Sequence, residues 1–309
     1  MRFYRSQFGS EANWFECPGN IPGLGSLMTF IRINYEIWKT GSNKNPITIL
    51  LERHCPMTPC NFLLASTECP VVIICDVRVV EAMYTTKNKY FDKHWILPDF
   101  TYPLMGETIL FSSTTHEWRT SRKAMSPAFY KGKLVQMVEL AKISMRTTLA
   151  KLKSLAAAGG PKTTIDLMAE VSMMQVRILL RCALGEDVSD QEIDYWSKGR
   201  LAKRCLSYAL RESFAGCVDR ITHPQCFLLG SIANRNFVLP YERDLKANCV
   251  ALRKFISNIV EKRKAHLAQN PQLATAEGDF LTILLTEPHF KDNGERIIDE
   301  CLTFFFAGS

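Results

Sequence analysis

Leu134, Met137, Val138, Ala141, Met145, Leu149 and Leu152 recur at i, i+3 and i+4 spacing over five turns. That pattern puts an apolar stripe on one helix, and a stripe this long is expected to pack against other helices. Asp166 to Leu184 is a second such stretch, more apolar all round and so expected deeper in the core, with Gly185 closing it. A third helix, more weakly patterned, is predicted from Asp190 to about Cys217. Leu245, Cys249, Leu252, Ile256 and Ile259 define a fourth. Its C-terminal end carries Lys262-Arg263-Lys264, where the helix dipole favours cations. Phe280–Leu285 starts a short helix that ends near Pro288. Elements of this kind make a mainly α protein.

The N-terminal third is patterned differently. Leu27 to Trp38 predicts a short helix stopped by Gly41 and Asn43. Ile47–Leu51, Asn61–Ala65 and Val71–Cys75 are short apolar runs between prolines and polar turns. The last two are expected to pair in a small sheet. Asp76 suits the N-cap of a helix through Met83. Residues 18–25, PGNIPGLG, cannot be helix or strand. They lack a following Lys-Ser/Thr, and no strand precedes them, so they are not a phosphate loop. Residues 89–112 hold Tyr90, Phe91, Trp95, Phe100, Tyr102 and Phe111 with two prolines, and predict an aromatic binding loop. Residues 1–17 carry no assignable element.

A chain of 309 residues with 47% hydrophobic residues can bury a large core and is not disordered. A net charge of +7 favours an acidic partner or an anionic membrane surface. No run of five basic residues occurs, so nucleic acid is not expected. The 11 cysteines include no Cys-x-x-Cys couple, which argues against zinc and for reduced, mostly buried thiols. No stretch approaches the ~20 apolar residues of a membrane span, and the N-terminus lacks the apolar centre of a secretory signal.

The sharpest chemistry lies in residues 116–129, HEWRTSRKAMSPAF. Trp118 and Arg122 share one helical face, with Arg119 and Lys123 beside them; Ser126-Pro127 stops the helix and Phe129 points back to the core. An indole beside a guanidinium can stack on a flat ligand or clamp a carboxylate. The simpler reading is a half-buried tryptophan on a basic, solvated helix. From Glu295 the chain reads ERIIDECLTFFFAGS, and the almost wholly apolar run Cys301–Ala307 is expected to be deeply buried. A helix that ends inside its most apolar run predicts that the sequence is a fragment.

In order and separation, these stretches resemble the N-terminal part of a cytochrome P-450, a haem-thiolate monooxygenase of microsomal type. PGNIPGLG resembles the proline-rich hinge after the membrane anchor. The two paired runs and the Asp76 helix resemble the family's first hairpin and the helix after it. MGETILFSSTTHEWRTSRKAMSPAF resembles the lead into helix C with its Trp-x-x-x-Arg motif, and Ala307-Gly308 matches the start of the oxygen-activation motif. The implied fold is mainly α with a small N-terminal β-sheet, an incomplete P-450 fold ending inside the long central helix. Residues 18–309 would be the N-terminal part of one domain, truncated before the haem-ligand loop.

The resemblance implies roles. Trp118 and Arg122 would bind a haem propionate, and Ala307 and Gly308 would line the catalytic distal face. Phe100, Phe111, Phe304 and Phe305 would border the pocket of a small hydrophobic substrate, although core packing is the commoner role for Phe304 and Phe305. Arg119, Lys123, Lys131 and Lys133 would meet a flavoprotein reductase that delivers electrons from NADPH. The complete protein would hydroxylate an organic substrate with O2. If it carries an anchor, it would sit on the cytoplasmic face of the endoplasmic reticulum. None of the 11 cysteines lies in the family's Phe-x-x-Gly-x-x-x-Cys-x-Gly context, and no Glu-x-x-Arg motif occurs in its usual place. No metal ligand is therefore expected in this chain, and the chain by itself is expected to be inactive. The alternative is a non-catalytic basic helical protein, a decoy or pseudoenzyme, that binds an acidic partner or membrane surface.

Overall fold

The computed structural model describes residues 14–16, 26–42, 44, 46–54, 61–64, 71–94, 97–160, 164–222, 234–273 and 278–308. The PGNIPGLG stretch, Trp95 and the cysteines at 17, 55, 60, 69 and 226 lie outside them. Two compact units are present: residues 1–92 with 222–230, and residues 93–221 with 231–309.

The first unit begins with strand β1 (Trp14–Glu16), within the stretch left unassigned above. Helices α1 (Leu27–Thr40) and α2 (Pro46–His54) follow, then strands β2 (Asn61–Leu64) and β3 (Val71–Ile74). β2 and β3 pair antiparallel as expected, with Asn61 opposite Ile74, and β1 adds in parallel to β2. Gly41 ends α1 in the left-handed conformation, at φ 63°, where glycine has no Cβ penalty. The Ile47–Leu51 run lies inside α2, whose Ile49 and Leu50 pack with Ile33 of α1. Asp76 caps α3 (Val77–Tyr84) by accepting the Arg78 N–H.

The second unit is helical. It comprises α4 (Leu97–Met105), α5 (His116–Met125), α6 (Lys131–Gly159) and α7 (Leu167–Leu184). After them come strands β4 (Glu192–Ser197) and β5 (Arg200–Cys205), then α8 (Leu206–Thr222), α9 (Arg243–Gln269), α10 (Phe280–Thr286) and α11 (Gly294–Ala307). Its core runs through Val176, Leu180 and Leu184 of α7, Leu206 and Leu210 of α8, Leu252 and Ile256 of α9, Leu281 and Leu284 of α10, and Cys301, Leu302 and Phe305 of α11. Asp166 caps α7 through the Ala169 N–H, and Gly185 ends it in the left-handed conformation, both as the sequence predicts.

Three expectations are corrected. The predicted third helix is a β4–β5 hairpin followed by α8. Its two-residue turn, Lys198-Gly199, takes φ 53° and 72°, which suits a tight hairpin and breaks a helix. Asn248 of α9 seals the hairpin by accepting the Trp196 N–H and donating to the Trp196 carbonyl. The aromatic stretch 89–112 is not a long loop, because α4 occupies its centre and buries Phe100 completely. The long apolar stripe of α6 is only partly covered. Ser144 and Thr148 are buried, whereas Leu134, Val138, Met145 and Leu149 are exposed. The apolar arc of α6 is wider than the face it buries.

Candidate functional site

Helix α5 is built locally. The Thr115 hydroxyl caps it by accepting the Trp118 N–H, Glu117 sits in its positive first turn, and Arg122 and Lys123 sit in its last. The helix buries Ser121, Ala124 and Met125, and the Ser121 hydroxyl meets His289 Nε2 at 2.8 Å, which pins α5 to the turn after α10. Trp118 and Arg122 come together as the spacing predicts, with the Arg122 guanidinium 5.2 Å from the indole centroid. Lys93 adds a second cation, its Nζ 4.3 Å from the same ring. Such cation–aromatic pairs are worth about 0.5–2 kcal/mol each. Arg122 is exposed and has no acid partner among the described residues.

The indole N–H is already engaged. It donates to the Ile109 carbonyl at 2.8 Å. The Ile109 N–H in turn donates to Glu300 of α11 at 3.1 Å, and the neighbouring Glu107 N–H donates to Asp299 at 3.1 Å. Adjacent carboxylates of α11 therefore hold alternate amides of one turn. Arg253 of α9 reinforces it through Asp299 at 2.7 Å, the Leu104 carbonyl at 3.0 Å and Glu295 at 2.6 Å.

Burial pushes Glu300 up to about 7; Arg296 and the Ile109 N–H oppose the shift, and Asp299 adds to it. Burial also raises Asp299, against the pull of Arg253. A carboxyl whose pKa is raised on folding binds more protons folded than unfolded between its two pKa values. The Glu300 contribution is thus present below its ordinary value of 4.5 and declines as pH rises to about 7. The expected loss is about 3 kcal/mol between about pH 4.5 and about pH 7. Urea denaturation of wild type and Glu300→Gln across that window checks it. An identical pH dependence in the two proteins would refute the assignment.

The four expected pocket phenylalanines separate. Phe100 and Phe305 are wholly buried in side-chain packing. Phe304 stacks on Phe280 at 4.7 Å and lies 6.1 Å from Phe129, so it belongs to an aromatic cluster under the end of α5. Phe111 keeps a partly open ring 6.3 Å from Phe306, which itself lies 5.4 Å from Phe214. Phe306 and Phe214 were not singled out in the sequence, where three successive phenylalanines give no sign of which one turns outward. Ala307 and Gly308 are exposed at the end of α11, and a Cβ on Gly308 would lie 2.6 Å from Leu179. Arg119, Lys123 and Lys131 are exposed without acid partners among the described residues, whereas Lys133 donates to the Gly278 carbonyl at 2.9 Å.

The described cysteines are free thiols, and Cys182, Cys217, Cys249 and Cys301 are buried. Burial raises Cys182 to about 11 and lifts Cys249 and Cys301 as well, so these three pack as neutral thiols. Among the described residues no cluster of His, Cys, Asp and Glu is arranged to hold a metal ion, and no helix is long and apolar enough to cross a membrane.

Fold and site together define a mainly helical protein in which two cations, Lys93 and Arg122, lie near one indole. The chain belongs to the cytochrome P450 family, whose family model matches residues 41–309. It is similar to human Cytochrome P450 4F8, at 23% identity over 253 residues, covering 77% of this chain and 45% of that protein. The 11-oxo-beta-amyrin 30-oxidase of Glycyrrhiza uralensis is 23% identical over 251 residues, covering 77% of this chain and 43% of that protein. Cytochrome P450 4g15 of Drosophila melanogaster is 33% identical over 122 residues, 40% of this chain and 20% of that protein. The chain spans less than half the length of these relatives.

Proposed function

We propose that this chain forms one wall of the haem pocket of a monooxygenase, with Arg122 gripping a haem propionate on the face of Trp118. One observation carries the reading: an exposed guanidinium, 5.2 Å from an indole centroid and without an acid partner among the described residues, in a chain that matches the family from residue 41 onward. Haem with a cysteine thiolate ligand supplies O2 activation and oxygen insertion into an organic substrate.

The chain's residues supply binding and shape. Arg122 would form charge-assisted hydrogen bonds to the propionate, and Trp118 would hold the plane of its guanidinium. The indole N–H would act indirectly, because Ile109 already accepts it. Ala307 and Gly308 would keep the distal side of α11 open by offering no bulk. Phe111 and Phe306 would give the substrate side an aromatic, hydrophobic wall. The burial that keeps Cys182, Cys249 and Cys301 as neutral thiols supports a reading in which these three pack the core and do not ligate the iron. The exposed cations Arg119, Lys123 and Lys131 suit the acidic face of a flavoprotein reductase fed by NADPH.

Titrating the chain with haem tests this. Arg122→Ala should weaken binding about 10- to 100-fold, the range for losing hydrogen bonds to a charged group. The reduced carbon monoxide complex should lack the long-wavelength thiolate Soret band. Unchanged affinity in Arg122→Ala would refute the clamp, and a thiolate band would refute the assignment of the cysteines.

A further inference from the structure

The haem clamp proposed above has an unexplained support. Glu300 is 1% exposed, far from the chemistry expected at the end of α11, yet it is a carboxylate. Burying a carboxylate is expensive, and an apolar residue would fill the same space at lower cost. Its partners are few: Arg296 Nε at 3.2 Å, one turn back on its own helix, and the Ile109 N–H at 3.1 Å. The opposite end of the Ile109 residue carries the carbonyl that accepts the Trp118 indole at 2.8 Å and Lys93 Nζ at 3.4 Å. Lys93 also lies over the indole ring. Ile109 is thus held from α11 on one side and holds the indole and its second cation on the other.

We propose that Glu300 is a positioning residue for the Trp118–Arg122 clamp, acting through the backbone of Ile109. The proposal rests on the reading of that clamp as a propionate site. The carboxylate fixes the Ile109 N–H, and Ile109 then presents its carbonyl at one place and in one direction. The indole N–H follows the carbonyl, so the ring plane on which Arg122 lies is set from α11 rather than from α5 alone. Asp299 does the same for the Glu107 amide two residues earlier, which leaves the turn little freedom to move. Gly106 lets the turn come this close: it takes φ 62°, and a Cβ there would lie 2.2 Å from Asp299 Oδ1.

This coupling makes the clamp sensitive to the charge on Glu300. An ionised carboxylate accepts from Ile109 more strongly than a neutral carboxyl. The charged groups that act on it are Arg296, one turn back, and Asp299 beside it on α11, while Lys93 lies at the far side of Ile109 and Arg253 of α9 pairs with Asp299.

The test reads the indole directly. In the 15N-labelled full chain, the Trp118 indole resonance is assigned by its loss in Trp118→Phe. Glu300→Leu, which removes both acceptor oxygens, should move that resonance toward the position of a water-exposed indole. Glu300→Gln keeps an acceptor and should restore it. In wild type the resonance should shift with a midpoint near the Glu300 value of about 7, and that step should vanish in Glu300→Gln. Should Glu300→Leu fail to fold, the comparison of wild type with Glu300→Gln decides alone. A resonance that keeps the same pH dependence in both proteins overturns the proposal.

Haem titration of the same proteins separates the two readings. Glu300→Leu should weaken haem binding about tenfold, as for a misplaced hydrogen-bonding group. An indole that responds to Glu300 while neither Glu300→Leu nor Arg122→Ala alters haem affinity would keep the coupling and reject the propionate site. An unresponsive indole with weakened binding in Arg122→Ala would do the reverse.

Discussion

Arg220→Met should destabilise the helical unit by about 3–5 kcal/mol, the range for removing one member of a buried ion pair. Arg220 of α8 is 2% exposed, the largest fully buried side chain among the described residues. Its Nε donates to Glu242 at 2.6 Å, one Nη to the Phe100 carbonyl at 2.6 Å and the other to the Asn234 carbonyl at 2.7 Å. The guanidinium also lies 4.2 Å from the centroid of Phe237. It ties α8 to α4 and to the segment leading into α9. Methionine fills much of the volume but offers no donor, and it leaves the Glu242 carboxylate buried without its cation. The Leu239 N–H, which donates to the other Glu242 oxygen at 3.1 Å, cannot replace a full charge. Adding Glu242→Gln should recover part of the loss, because the uncompensated charge is then gone. Urea denaturation of the two single variants and the double variant measures this. A loss in Arg220→Met below about 1 kcal/mol would place the pair with ordinary surface bridges and refute the argument.

Gly106→Ala should lower stability by about 2–4 kcal/mol, more than backbone strain alone would give. Gly106 ends α4 in the left-handed conformation, its N–H donating to the Tyr102 carbonyl at 2.8 Å. An alanine there meets two penalties. The left-handed backbone is strained for any residue with a Cβ, by about 1–2 kcal/mol. The added methyl would also lie 2.2 Å and 2.3 Å from the two Asp299 oxygens. Asp299 would have to withdraw from Arg253, at 2.7 Å, and from the Glu107 N–H, at 3.1 Å. Gly199→Ala provides the control. Gly199 sits at φ 72° in the hairpin turn, and a Cβ there meets nothing within 4 Å. It carries the strain without the collision, so its loss should be about 1–2 kcal/mol. Equal losses at the two glycines would mean that the Asp299 carboxylate moves aside freely. The turn at 106–109 would then not be the rigid support that the clamp needs.

The helices were readable because their signals are short-range. Asp76 and Asp166 each sit just before an apolar repeat and cap it, and Gly185 closes the second repeat. Trp118 and Arg122 are one turn apart, so their approach to within 5.2 Å follows from helical spacing alone. The β4–β5 hairpin is not evident in the sequence because its apolar residues, Ile193, Tyr195, Trp196 and Leu201, are few and fit a weak helical pattern as well as a strand. The decisive signal was Lys198-Gly199, both at positive φ, and only the glycine advertises that in a sequence. Phe100 sits in an aromatic-rich stretch that suggests a binding loop, but its burial depends on α4 packing within the unit.

Local pattern by itself settled that the chain is mainly α, where most helices start and stop, and that its motifs fall in the order of a cytochrome P450. It also placed the indole and the guanidinium on one face. Only the tertiary structure decided what the indole N–H holds, which phenylalanine of Phe304-Phe305-Phe306 faces Phe111, and why an arginine and a glutamate are buried. The reason is one of range. Capping and helical spacing act within a few residues, whereas Ile109 and Glu300 are separated by 191 positions and Arg220 and Phe100 by 120. A buried polar group is tolerated only when its partners converge from elsewhere in the fold, and no window of sequence contains both sides of such a bond.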